Sequence, residues 1–228
     1  MNQRAWILLE GEDRHNFLNP LMTNNTKNLE SSPVIFAAFL NAQGRFLFDI
    51  FLWEENQVLI LDVFKDSAEG LLNHLSRYKL RSKINLSLSQ SYPLRSLPSW
   101  PKPFGRDMSN QERILKTIPF GVLDVIPEKG VILECGYDAL GALDWESGCY
   151  LGQELMSKTK YRGEIRKSLK TVLFEGEVSG GDVIATAAQE LAGEIRSIDQ
   201  GCAIAMIRHE FLNKKLFVNS VALTIKNA

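Results

Sequence analysis

Cysteine is scarce in this chain: three in 228 residues, at positions 135, 149 and 202, an odd number with no CxxC pair. That argues against a disulfide framework and against a structural zinc site built from thiolates. Histidine is equally rare. His15, His74 and His209 lie far apart and show no metal-ligand spacing, so no metal site is expected. No apolar run approaches the roughly 18 residues that a membrane span needs, and the one at 5–9 is too short for a signal-peptide core. Neither sign of charge dominates: 26 basic against 27 acidic residues leave a formal charge of -1. Such a balance argues against a protein held to nucleic acid by overall positive charge. Sixteen glycines and eight prolines are too few for a collagen-like or low-complexity chain. What remains is a soluble globular chain of a reducing compartment. It is expected in the cytoplasm, or in the mitochondrial matrix for a eukaryotic source, with no transit peptide readable.

The apolar pattern divides the chain unequally. Residues 5–9 read as a short strand, and Asp13 is placed to cap a helix through His15, Phe17, Leu18, Leu21 and Met22, which Pro20 would break or kink. An apolar run at 34–40, a turn at 41–44, a partner at 45–53 and a further run at 57–64 read as a three-stranded meander. Helical spacing follows through Ala68, Leu71, Leu72 and Leu75. Beyond it the period becomes two, with Tyr78, Leu80, Ser82, Ile84, Leu86 and Leu88 on one face. Arg77, Lys79, Arg81 and Lys83 fall on the other, as either a solvated surface or a wall facing an anionic ligand.

Four prolines crowd residues 92–105, which read as a loop or linker and a subdomain boundary. A modest helix is expected near 110–116, then irregular chain to about 137. Beyond Ser168, short apolar runs at 172–174, 183–185, 203–207 and 216–225 alternate with glycines, the pattern of a small barrel or sandwich. The fold class is therefore α+β, with one domain over 1–165 and a small β domain over 166–228.

One segment holds more unusual residues than packing requires: Asp144-Trp145-Glu146-Ser147-Gly148-Cys149-Tyr150-Leu151-Gly152-Gln153-Glu154. Helical periodicity drawn from Tyr150 puts Cys149 near a helix N-terminus, where unpaired N–H groups would favour a thiolate. Gln153 and Glu154 lie one turn on, within reach of the loop, and Gly148 leaves room for a ligand or another backbone. Cys135 and Cys202 sit among apolar neighbours and read as packing. None of the histidines has local context tying it to Cys149, so a Cys–His–Asn protease set is not readable.

The run from Gly148 to Glu154 resembles the signature K-G-C-[YF]-x-G-Q-E of the YgfZ-type folate-binding proteins, with all six specified residues matching. These are relatives of the glycine cleavage T-protein, an aminomethyltransferase, and include mitochondrial iron–sulfur assembly factors. Residues 17–24 resemble the family's F-L-Q-G-x-x-T-N/D segment, 40–49 its hairpin and 78–83 its basic strand. Ala139-Leu140-Gly141 and Tyr161-Arg162-Gly163 flank the signature as in the family. Ser147 stands where the family has Lys, Pro20 where it has Gly, and Ile118-Pro119-Phe120-Gly121 where it has an I-E-A-G type segment. Of the paired acids in the T-protein hairpin, only Asp49 remains.

The resemblance implies a T-protein-like folate-binding body of subdomains around a central channel, followed by a C-terminal β-barrel. It implies tetrahydrofolate, or a one-carbon derivative, as ligand, and iron–sulfur proteins or assembly factors as partners. Cys149 and Asp49 become the reactive residues. The ligand residues implied are Gly148, Tyr150, Gly152, Gln153 and Glu154, with Trp6 and Trp145 as apolar walls and Arg81 and Arg162 for an acidic tail. Two other readings stand beside it. One is an aminomethyltransferase of the glycine cleavage type, for which Asp49 supplies the acid. The other is a module associated with tRNA modification, using the basic run 158–170, although no aromatic stacking platform is interleaved with it.

Overall fold

The computed structural model describes residues 4–89, 98–146 and 148–226. Strand β1 (Arg4–Glu10) precedes the meander of β2 (Ile35–Leu40), β3 (Phe46–Glu55) and β4 (Val58–Phe64), and β5 (Asn85–Ser89) completes an antiparallel sheet of order β2-β3-β4-β1-β5. The β3–β4 reversal turns on Asn56 and Gln57, both at positive φ (50° and 63°), the geometry that tight hairpins require. Both faces of the sheet are covered, which is why its strands read as continuous apolar runs. Successive residues of β2 separate cleanly: Ile35, Ala37 and Phe39 join one core, while Phe36, Ala38 and Leu40 join another. Helix α2 follows after α1 (Arg14–Leu18). It spans Ala68–Tyr78 and lies on the first core through Ala68, Leu71 and Leu75.

The expected helix after Asp13 ends at Leu18, because Pro20 sits in a 3-10 turn at Asn19–Leu21. Asp13 does not cap it; its carboxylate accepts from the Lys83 backbone N–H at 2.7 Å. The period-two strand from 78 is also corrected. Tyr78 closes α2, Leu80 turns at φ +38° with its side chain 89% exposed, and regular pairing starts only at Asn85. Arg81 therefore lies on a turn, and Lys83 pairs with Glu12. The last helical turn and a chain reversal happen to share the alternation of a strand. No basic strand wall forms there.

The second face of the sheet is covered by the chain from 98 onward. Residues 98–105 are no solvated linker: Trp100 is 8% exposed and Phe104 packs on the same core. The rest of the proline-rich stretch lies outside the described residues. Helix α3 (Asn110–Leu115) is capped by Ser109, whose hydroxyl accepts from the Glu112 N–H, and α4 (Gly121–Asp124) is a single turn. Arg113, fully buried, donates to Asp124 at 2.5 Å and to the Ile118 carbonyl at 2.8 Å. Helix α5 (Gln153–Arg162) follows the signature.

Six strands then close a barrel: β6 (Lys167–Leu173), β7 (Val183–Thr186), β8 (Leu191–Asp199), β9 (Cys202–Arg208), β10 (Leu216–Val218) and β11 (Val221–Ile225), in order β10-β11-β6-β9-β8-β7. Strand β8 escapes a reading of apolar runs. Its Gly193 sits where a Cβ would come within 2.2 Å of the Met206 carbonyl, and its polar residues break the pattern. Strands β6 and β9 serve two cores. Val172, Ala203, Ala205 and Ile207 fill the barrel, while Leu169, Cys202, Ile204 and Met206 join the core of the body.

Candidate functional site

Asp49 lies on β3 where the second face of the sheet meets the covering chain. Its Oδ2 accepts from the Tyr137 hydroxyl at 2.7 Å and from the Gly121 N–H at 3.1 Å. Gly121, at φ +37°, has no room for a side chain, since a Cβ would stand 2.8 Å from Asp49 Oδ1. Burial raises the Asp49 carboxyl above its ordinary value, with the Tyr137 hydrogen bond and the Arg4 guanidinium pulling the other way. Burial and the same carboxylate push the Tyr137 phenol well above its ordinary value.

Asp49 faces a cavity with walls from Arg4, Phe36, Phe51, Trp100, Phe104 and Phe120. Aromatic walls, a carboxyl and a guanidinium are the chemistry a pterin ring requires. The room is not there: the cavity holds about 20 Å³, enough for about one water. Trp100 takes up the space, stacked on Phe51 with ring centroids 4.1 Å apart and planes 14° from parallel. The residues present thus match a folate in kind, but with Trp100 in place they leave no volume for it.

Cys149 belongs to a different place. It is exposed, and it lines an open groove with Tyr150, Gln153, Lys158, Tyr161 and Arg162. The expected helix start is corrected, because Gly152 stands at φ +84° and α5 begins at Gln153. Cys149 therefore sits in the loop ahead of the helix, outside the first turn where the dipole acts. Gln153 does reach back, its side-chain oxygen accepting from the Tyr150 N–H at 3.0 Å, whereas Glu154 pairs with Lys158. The close approach expected at Gly148 occurs at Gly152 instead. A Cβ there would stand 2.7 Å from the Asn41 carbonyl, while at Gly44 across from it a Cβ would be merely tight, 3.1 Å from Leu155 Cβ and 3.2 Å from the Gly152 carbonyl. A Cβ at Gly148 would meet nothing within 4 Å among the described residues, so what favours glycine there is its φ of +69°.

The loop is fastened to segments distant in sequence. The Leu151 N–H donates to the Pro20 carbonyl at 2.9 Å and the Asp144 N–H to the Thr23 carbonyl at 2.8 Å. The Thr23 hydroxyl donates to the Ala142 carbonyl at 2.6 Å, and the Asn24 amide to the Gly141 carbonyl at 3.0 Å. The N-terminal segment, the hairpin turn and the signature, recognised separately along the chain, meet at this point. Ser147 lies outside the described residues.

Several expected site residues are elsewhere. Trp6 is buried in the core of the body, and Arg81 is on the turn after α2; neither lines the cavity or the groove. Trp145 donates to Asp138 at 2.7 Å and carries the Lys160 ammonium 3.9 Å over its ring, beside Tyr161 at the groove's end. The basic run 158–170 is largely spent on ion pairs: Lys158 with Glu154, Lys160 with Asp138, Arg166 with Glu164 and Lys167 with Glu134. Sequence reasoning missed Tyr137, Gly121, Arg4 and Trp100. Two aromatics set among the prolines of 98–105 were the available signal for the last, since a solvated linker has no use for them. Among the described residues no three His, Cys, Asp or Glu side chains gather as a metal site, and no helix is long and apolar enough to cross a membrane.

The chain is similar over 91% of its length to the mitochondrial iron–sulfur cluster assembly factor IBA57 homologue of Neurospora crassa, at 26% identity, covering 61% of that protein. It is 25% identical over 96% of its length to mitochondrial IBA57 of Mus musculus, covering 80% of it. Its homologues are IBA57-type assembly factors of the YgfZ family. The chain spans about three fifths of the length of the fungal relatives such as the Neurospora protein. Residues 166–228 match the CAF17 C-terminal beta-barrel domain. The fold is that of aminomethyltransferase T of the glycine cleavage system from Bartonella henselae: TM-score 0.70, 11% identity, 98% of this chain and 83% of that one. The α+β body with a C-terminal barrel is thereby established. The IBA57-type relatives are named as mitochondrial, so the cytoplasmic expectation finds no support among them.

Proposed function

We propose that this chain works in the assembly of iron–sulfur proteins, with residues 1–165 as the working body and 166–228 as the barrel that braces it. Cys149 is its reactive residue, offered to a partner protein. The observation that carries the reading is an exposed thiol on a loop that hydrogen bonds and two facing glycines hold to the hairpin and the N-terminal segment. A rigid loop presents a thiol at low entropic cost to a partner. Gly148, Tyr150, Gly152, Gln153 and Glu154 shape that loop, and Arg162 and Trp145 border it. The names of the relatives support both the assembly role and a matrix location for a eukaryotic source. In cells lacking their own family member, the Cys149→Ala chain is expected not to restore iron–sulfur enzyme activity. Full rescue would remove the thiol from the mechanism.

Tetrahydrofolate is the proposed small ligand, on the likeness of fold and the chemistry of the Asp49 cavity. A calorimetric titration of the native chain and of Ser147→Lys tests it; heat from neither would end the folate assignment. Aminomethyl transfer is the second reading, favoured by a buried carboxyl whose pKa is raised toward proton exchange. Formation of methylene-tetrahydrofolate from an aminomethyl-lipoyl carrier would promote it. With four of its six basic side chains in ion pairs, the run 158–170 gives little footing to the third reading, RNA binding.

A further inference from the structure

The cavity beside Asp49 is not merely small; it is filled by a side chain whose surroundings suit something else. The Trp100 indole lies flat on Phe51, with Phe104 packed edge-on against that same phenyl ring at 5.0 Å. Two guanidinium groups flank the indole, Arg4 at 5.3 Å and Arg106 at 4.8 Å from its ring centre. Both are anchored on Asp62, which is fully buried: Arg4 Nε reaches Oδ1 at 2.6 Å and Arg106 Nη1 reaches Oδ2 at 3.1 Å. An aromatic floor with two fixed cations receives any flat, electron-rich bicycle.

The indole fits this place in shape and not in hydrogen bonding. Among the described residues, Trp100 Nε1 and Arg106 Nη2 are buried donors that have no acceptor. Each such orphan costs about 1–3 kcal/mol, and both belong to the same stretch of chain. A heterocycle with ring nitrogens and a carbonyl oxygen supplies the acceptors that an indole lacks. Among the described residues, the backbone of this stretch hydrogen-bonds locally, from Phe104 N–H to Pro101 and Met108 N–H to Gly105, and Arg106 Nε donates to Pro98. Arg106 Nη1 also reaches the sheet, at Asp62.

We propose that Trp100 is an internal stand-in for a flat, acceptor-rich bicyclic ligand in the Asp49 cavity, and that such a ligand binds only by displacing it. This rests on the reading of that cavity as the tetrahydrofolate site, and it makes the Trp100 side chain the element whose displacement governs occupancy, with Arg106 staying on Asp62. Ligand affinity is then reduced in proportion to the fraction of chains in which the indole is out of the cavity. With that fraction at about a tenth, removing the indole raises affinity about tenfold.

The test is a calorimetric titration of the full chain with tetrahydrofolate, native against Trp100→Ala. Alongside it, 5-fluorotryptophan labelling with the Trp100 signal assigned from Trp100→Phe reports where the indole goes. Tighter binding by Trp100→Ala, with the native Trp100 fluorine signal moving to a solvent-exposed position at saturation, is the expected result. Equal affinities with an unmoved signal would overturn the stand-in and leave folate binding intact. No binding by any form would overturn both. If Trp100→Ala does not fold, Trp100→Phe is expected to gain a fewfold affinity, and the fluorine signal decides on the native chain alone.

Discussion

The Asp49 cavity and the Cys149 groove are built on opposite plans. The first lies between a sheet and the chain that covers it, with walls of aromatic rings and charges satisfied by buried partners. The second is an open surface with an exposed thiol, an i,i+4 ion pair and backbone held in left-handed turns. Among the described residues, none lines both. In the interior, side-chain identity sets the chemistry through burial, which moves the Asp49 and Tyr137 proton affinities upward. In the groove, backbone conformation does the work, because the residues that matter most are glycines whose role is to let two loops touch. A single signature therefore marks only one of the two candidate sites.

That contrast can be broken experimentally. The largest effect is expected inside, at Arg113→Met. It leaves the Asp124 carboxylate buried without its cation and should cost about 3–5 kcal/mol in chemical denaturation; a loss below about 1 kcal/mol would show that the interior frame is not what holds the fold. Next comes Gly152→Ala, where strained φ adds to a collision with the Asn41 carbonyl. About 2 kcal/mol or more is expected, against about 1 kcal/mol for Gly148→Ala, which suffers strain without a clash. Equal losses at the two glycines would undo the distinction drawn between them.

Asp49→Asn tests the interior by pH. The folded carboxyl holds its proton more tightly than the unfolded one, whose ordinary value is 3.8. Native stability should therefore fall as pH rises from that value through the raised folded one. The Asn variant should lack this fall, and parallel stability curves between pH 4 and 8 would refute the assignment. The smallest effect belongs outside. Cys149→Ser should change stability by no more than about 0.5 kcal/mol. Iodoacetamide should label native Cys149 while sparing Cys135, whose thiol burial pushes up to about 12, and buried Cys202. Labelling of all three at one rate would mean that the body opens readily.

Much of this architecture could be read in advance because its strands are buried on both faces and leave unbroken apolar runs, as in β2 and β4. Helix α2 announced itself through Leu71 and Leu75. Arg81 and Lys83 misled, since the end of a helix and a turn can imitate strand alternation for a few residues. Strand β8 was hidden by Gly193 and its polar neighbours, which satisfy the closed barrel rather than a hydrophobic pattern. At the candidate site, Cys149 and its glycines were visible as a local motif. The partners of Asp49 were not, because Gly121 and Tyr137 follow it by 72 and 88 residues and no periodicity links them.

By itself, the sequence determined the family signature, the α+β order of elements and the presence of one exceptional cysteine among three. These depend on local residue types and short-range spacing. The tertiary structure decided that Cys149 stands outside the first turn of α5, that Gly152 and not Gly148 is the point of contact, and that a tryptophan from a proline-rich stretch fills the cavity beside Asp49. Each of those depends on which distant segments share one small volume, and packing against the two faces of a sheet sets that only once the chain has closed on itself.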